Sequence, residues 1–150
     1  MGGLVCRSFV LSHQSAGGEP LVRLLITIGT PYGGNAAARK GVEKAPAVVR
    51  SWIDLDPQSA FLRGLFYTDD GQRRRLPSKS PFHLLFGYRR RAGRPGQSSD
   101  GTIPLESSLR LEAQEEAASV RGFDAGHVGL LRDPALVGDV TSLIAAAAAR

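Results

Sequence analysis

The chain has 150 residues, the length of one domain with room for a real core, and its 42% hydrophobic and 22% charged residues are ordinary globular usage, which sets disorder aside. Its single cysteine, Cys6, excludes an internal disulfide framework and a zinc module and reads as a small buried residue. A net charge of +5 raises nucleic acid and anionic surfaces as partners, so the distribution of that charge has to be followed along the chain.

From Gly2 to His13 the apolar positions Leu4, Val5, Phe9 and Val10 recur at helical spacing, and Gly17, Gly18 and Pro20 stop the segment, which predicts a short buried helix. "LVRLLITIGTPYGGN", Leu21 to Asn35, carries the nearly continuous apolar run Leu24, Leu25, Ile26 and Ile28, ended by Gly29 and Pro31. That pattern suits a strand covered on both faces, as parallel sheets provide. Residues 36–80 read as a helical and looped insertion above the sheet. Its helical pieces lie near 36–39, 47–52 and 57–65, separated by Gly41, Pro46 and the "DLDP" turn at Asp54 to Pro57.

"FHLLFGY", Phe82 to Tyr88, is the second strand, and Ala118 to Phe123 the third. Residues 113–117 are compatible with either helix or extended chain. "FDAGHVGLL" is a loop that turns helical near Val128. Pro134 to Ala149 is a closing helix with Leu136, Val137, Val140, Leu143 and Ile144 on one face. The fold class is therefore α/β, a mostly parallel sheet of about three strands with flanking helices, in one domain spanning 1–150.

Much of the positive charge lies between Arg73 and Arg94, in the triplets Arg73 to Arg75 and Arg89 to Arg91 with Lys79 and Arg94 nearby, among prolines and glycines. These read as solvated loops first and as a phosphate-contacting surface second. No aromatic interleaving or nucleic-acid module accompanies them, so nucleic acid is not an expected partner, and weak contact with acidic surfaces is the remaining use. No run approaches a membrane span and the start carries no signal-peptide pattern. The default location is the cytoplasm unless a missing N-terminal segment carries an address.

In such sheets ligands sit beyond the carboxyl ends of the strands, which selects the loops 30–35, 98–102 and 124–129. Asp100 ends one strand connection and His127 the next. A carboxylate there holds an imidazole in one tautomer and stabilises its cation while the other ring nitrogen takes a proton from a nucleophile. Each residue has a plainer reading alone, Asp100 as a turn former in "SSDG" and His127 as a helix-start residue in "AGHVG". Other candidates are weaker. His13 and His83 lack metal-ligand spacing, Asp54 and Asp56 read as a turn and cap before Pro57, and Gly33 and Gly34 are followed by no phosphate-loop lysine. No metal or cofactor site is expected. Thr30 and Tyr32 are candidates for lining an acyl pocket.

Four ordered motifs, "MGGLVCR", "LITIGTPYGGN", "SSDGTIPLESS" and "GFDAGHVGLL", make the chain resemble the C-terminal part of a serine α/β-hydrolase of the lipase/esterase type. Similar "GTPYGG" loops occur in lecithin:cholesterol acyltransferase-like and GPI inositol-deacylase-like proteins. The resemblance implies Asp100 as triad acid, His127 as general base, and the Met1 backbone N–H as an oxyanion-hole donor. It also implies a small-molecule or lipid ester substrate attacked through an acyl-enzyme. The family's nucleophilic serine falls one position before Met1. The expectation is a hydrolase in full-length form and an inactive 150-residue chain. The alternative is a non-catalytic remnant or interaction module whose open sheet edge pairs with another chain.

Overall fold

Alternation along two short strands fixes where the core sits. In β1 (Leu25–Ile28) Leu25 and Thr27 point to one face and Ile26 and Ile28 to the other; in β2 (Phe82–Gly87) Phe82 and Leu84 share the first face and Leu85 the second. A computed structural model, which describes residues 1–17, 21–44, 49–89 and 98–149, sets these strands side by side with β3 (Ser119–Phe123). The sheet is parallel in the order β1-β2-β3, with Leu25 opposite Phe82 and His83 opposite Ser119. The coarse α/β architecture expected from the sequence is the one observed.

Among the described residues seven helices accompany the strands: α1 (Gly2–Ser15), α2 (Ala36–Lys44), α3 (Arg50–Asp54), α4 (Ala60–Gly64), α5 (Leu105–Ser108), α6 (Leu111–Glu116) and α7 (Pro134–Ala148). A 3₁₀ turn, Leu130–Arg132, precedes the last of them. On the first sheet face Leu4 of α1, Leu62, Leu65 and Phe66 of the α4 segment, and Ala113 of α6 close over Leu25, Phe82 and Leu84. On the second, Leu130 and Leu136 cover Leu85 and Phe123. Each fully buried aliphatic or aromatic side chain of this kind contributes roughly 1.5–3 kcal/mol through removal from water.

Several local expectations are corrected. The first helix forms, but its buried face is Leu4, Arg7, Val10 and Leu11, while Val5 and Phe9 are exposed. Arg7 takes the central position on that face because its charge is met inside. Its Nε donates to the Leu65 carbonyl at 3.0 Å, its Nη2 to Glu116 Oε1 at 2.9 Å, and its guanidinium lies 4.3 Å from the Phe66 ring centre. Cys6, on the opposite side, is exposed and not buried.

Arg73 and Arg74 are not solvated loop residues. Arg73 donates to the carbonyls of Phe66, Arg74 and Glu112 and pairs with Glu116 at 2.9 Å, and Arg74 donates to the Gly64 carbonyl at 2.6 Å. The closing helix α7 buries only Leu136, leaving Val137 and Ile144 exposed. Of residues 113–117, compatible with either helix or extended chain, 113–116 are helical and Ala117 is extended. The segment 36–80 is more than a cap, because Leu62, Leu65 and Phe66 are built into the core. The expectations that rested on Gly18, Pro20, Pro46, Arg90, Arg91 and Arg94 fall outside the described residues. Among the described residues no helix is long and apolar enough to cross a membrane.

Candidate functional site

The carboxyl ends of all three strands deliver loops to one place. After β2 the chain turns at Ser99 to Pro104, and Asp100 organises the turn itself. Its Oδ1 accepts the backbone N–H groups of Thr102 at 2.9 Å and Ile103 at 2.7 Å, with Gly101 supplying the left-handed φ of 93°. Asp100 is only 3% exposed. Two amide donors on one oxygen compensate a carboxylate held out of water and leave Oδ2 for a single further partner.

That partner is His127, whose Nδ1 lies 2.6 Å from Asp100 Oδ2. The contact is doubled in the backbone, where the His127 N–H donates to the Asp100 carbonyl at 2.8 Å. His127 sits between β3 and the 3₁₀ turn, and the Leu130 N–H closes on the Gly126 carbonyl at 2.9 Å to form the bend that carries it. Its side chain is 38% exposed, and Nε2 makes no hydrogen bond among the described residues. One ring nitrogen is thus fixed by a buried carboxylate while the other, on a partly exposed ring, has no hydrogen bond among the described residues. An imidazole so held can exchange a proton through its second nitrogen.

Two glycines let the loops approach. A Cβ on Gly29, which follows β1 with φ 56°, would lie 3.3 Å from both Cε1 and Nδ1 of His127. One on Gly87, the last residue of β2, would meet the Ala125 carbonyl oxygen at 2.6 Å and Asp100 Cβ at 3.0 Å. At the start of α1, Gly3 abuts Thr30; a Cβ there would fall 2.2 Å from Thr30 Oγ1. The beginning of α1, the end of β1 and the imidazole are therefore neighbours in sequence of contact. Met1 precedes the helix, and its carbonyl accepts the N–H of Leu4 at 2.9 Å.

The "GTPYGG" loop has a structural account of its own. Gly33 donates to the Ser107 carbonyl at 2.9 Å, Ser107 Oγ donates to the Gly34 carbonyl at 2.5 Å, and Asn35 Nδ2 donates to the Thr102 carbonyl at 3.1 Å. These bonds tie the loop after β1 to the loop that holds Asp100. Tyr32 does not line a pocket. It is fully buried, packed edge-on against Phe66 and Phe82 with its hydroxyl 3.2 Å from Thr27 Oγ1, and burial pushes that hydroxyl up to about 12. Thr30, 5% exposed, faces Gly3.

The remaining candidates lie apart. His83 is half-buried, with Nδ1 2.7 Å from Ser119 Oγ; His13 stacks on Phe9; Asp56 caps the turn by accepting the Gln58 N–H at 2.9 Å. Among the described residues no cluster of three or more His, Cys, Asp or Glu side chains forms a metal cage. Arg89, read from the sequence only as part of a solvated or phosphate-contacting arginine triplet, has its guanidinium against Gly126, directly before His127. Its signal was present in period 2, since Arg89 and Gly87 fall on the same side of an extended chain. Comparisons of the chain with protein-family models, with curated proteins and with solved structures return no match.

Proposed function

We propose that Asp100 and His127 are the acid and base of a lipase/esterase-like serine hydrolase site, of the α/β-hydrolase type, that acts on an ester or related acyl group through an acyl-enzyme. The observation that carries this reading is the 2.6 Å contact between a buried carboxylate, already held by two amides, and a half-exposed imidazole whose second nitrogen makes no hydrogen bond among the described residues. The parallel sheet with loops gathered at its carboxyl ends is consistent with it.

In this reading the nucleophile is a serine one position before Met1 in a longer form of the chain, next to the Gly3 and Thr30 contact. Its Oγ forms a bond to the acyl carbon while its proton passes to His127 Nε2. The carbon–oxygen bond to the alcohol then breaks, and the alcohol oxygen leaves with that proton. Water repeats the sequence on the acyl-enzyme, giving up its proton to His127 and releasing the acid. Asp100 keeps the Nδ1 proton in place and stabilises the imidazolium at each step. The Met1 N–H is the oxyanion donor that the resemblance supplies.

The test is labelling by a fluorophosphonate serine probe. A form of the chain extended to include the preceding serine should label, and its His127→Ala variant should lose labelling. Equal labelling of the 150-residue chain, or of the His127→Ala variant, would refute the assignment.

A second reading, a non-catalytic interaction module, is favoured by one observation. Among the described residues β1 pairs only with β2, so the N–H and carbonyl groups of Ile26 and Ile28 face an open edge, and Met1 and, in α1, Val5 and Phe9 are exposed. Under that reading the extended form does not label.

A further inference from the structure

The arginine triplet that begins at Arg89 is not absorbed by the acid–base pair, and its first member has a defined position. Arg89 is exposed, and its N–H donates to the Ser99 carbonyl at 2.9 Å, which pins the backbone one residue before Asp100. Gly87 and Arg89 point to the same side. Gly87 lies under Asp100 Cβ and the Ala125 carbonyl, and one two-residue step further on, about 6.6 Å in extended chain, the Arg89 guanidinium lies over Gly126.

The fit is close and face-on. A Cβ on Gly126 would meet Arg89 Cζ at 2.9 Å, Nε at 2.9 Å and Nη2 at 3.0 Å, so the absence of a side chain at 126 is what lets the guanidinium lie there. Among the described residues no carboxylate pairs with Arg89. Arg7, Arg73, Arg110 and Arg121 each have an acidic partner, whereas Arg74 and Arg75, like Arg89, have none among the described residues. An unneutralised guanidinium lying against Gly126, the residue before His127, presents a planar fork of donors at the rim of this loop.

We propose that Arg89 is an anion-recognising residue of this site, and that the ester it serves carries an oxyanion, phosphate or carboxylate, beside the reacting acyl group. The substrate class rests on the hydrolase reading; the anion site does not. Guanidinium groups take such oxyanions by two parallel N–H···O bonds, which adds direction to charge. A lysine at 89 supplies the charge without the fork, so the two contributions are separable. Gly126 is the positioning residue of the arrangement, because any side chain there displaces the guanidinium.

The experiment is a titration of the isotopically labelled 150-residue chain, followed by amide and imidazole NMR. The probes are methyl phosphate, acetate, and phosphatidylcholine vesicles with and without phosphatidic acid. Methyl phosphate or acetate should shift the Gly126 and His127 signals and the Arg89 side-chain Nε. Arg89→Gln should weaken that binding at least tenfold, Arg89→Lys should weaken it less, and Gly126→Ala should weaken it while leaving Arg121 signals unmoved. A response to phosphatidic acid vesicles alone identifies a lipid headgroup as the source of the oxyanion; a response to methyl phosphate identifies a soluble ester. Binding unchanged in Arg89→Gln, or shifts confined to Arg23, Lys79 or Arg121, would overturn the proposal. Because the titration needs no nucleophile, anion binding without fluorophosphonate labelling of the extended form would sink the hydrolase and keep the anion site. Labelling without Arg89-dependent binding would do the reverse.

Discussion

Asp100 does two jobs with two oxygens. Oδ1 holds the turn through Thr102 and Ile103, and Oδ2 holds His127. Asp100→Asn keeps an acceptor for the turn but turns an amide toward Nδ1, which favours the imidazole tautomer protonated on Nε2. In the serine-bearing form the turnover should fall by about 10⁴-fold, as when a triad acid is neutralised in place, while the urea midpoint moves little. Asp100→Ala instead leaves buried N–H groups unpaired, at about 1–3 kcal/mol for each lost partner, so both quantities should fall. A second residue-scale prediction concerns Glu116, whose side chain is 5% exposed and which meets both Arg7 and Arg73. Glu116→Ala strands Arg7 as a buried cation and should cost about 3–5 kcal/mol in urea unfolding.

Among the elements, the strand ends carry the most constraint. Gly29 and Gly71 both have left-handed φ, 56° and 82°, yet a Cβ on Gly71 meets open space while one on Gly29 meets His127 and Leu130 at 3.3 Å. Gly71→Ala should therefore cost only the backbone penalty of roughly 1–2 kcal/mol. Gly29→Ala should cost more and also move the His127 ring signals in NMR, which Gly71→Ala should not. Helix α1 shows how an element can be recognised and still misread. Helical spacing in residues 2–13 is plain, but with Arg7 counted as polar the apolar face is drawn through Val5 and Phe9, which are exposed. The helix is legible from local pattern; its orientation depends on Glu116, 109 residues away.

For the whole molecule, Glu112 and Tyr32 each make stability depend on pH. Arg110 donates to Glu112 and holds that carboxyl at about 2, below its ordinary 4.5. Between these values the unfolded chain binds more protons, so the stabilisation is present above about 4.5 and is lost as pH falls toward 2. Tyr32 runs the other way. Its hydroxyl stays protonated in the fold to about 12 against an ordinary 10.0, so its contribution is present below 10.0 and is lost as pH rises toward 12. Urea midpoints across pH should show both limbs. Glu112→Gln should flatten the acid limb and Tyr32→Phe the alkaline one.

The sequence by itself determined the strands, the closing helix, and the order in which an aspartate and a histidine follow successive strands. Those features depend on periodicity, turn residues and chain order, all of which are local. Only the tertiary structure decided that Asp100 Oδ2 and His127 Nδ1 stand 2.6 Å apart, that Tyr32 is core, that Arg7 and Arg73 are partnered inside, and that Arg89 lies over Gly126. Each of these contacts joins residues far apart in the chain. Whether an arginine is solvent-facing, a structural cation or a ligand-binding fork follows from the carboxylates, rings and backbone that meet it, and the fold alone brings those together.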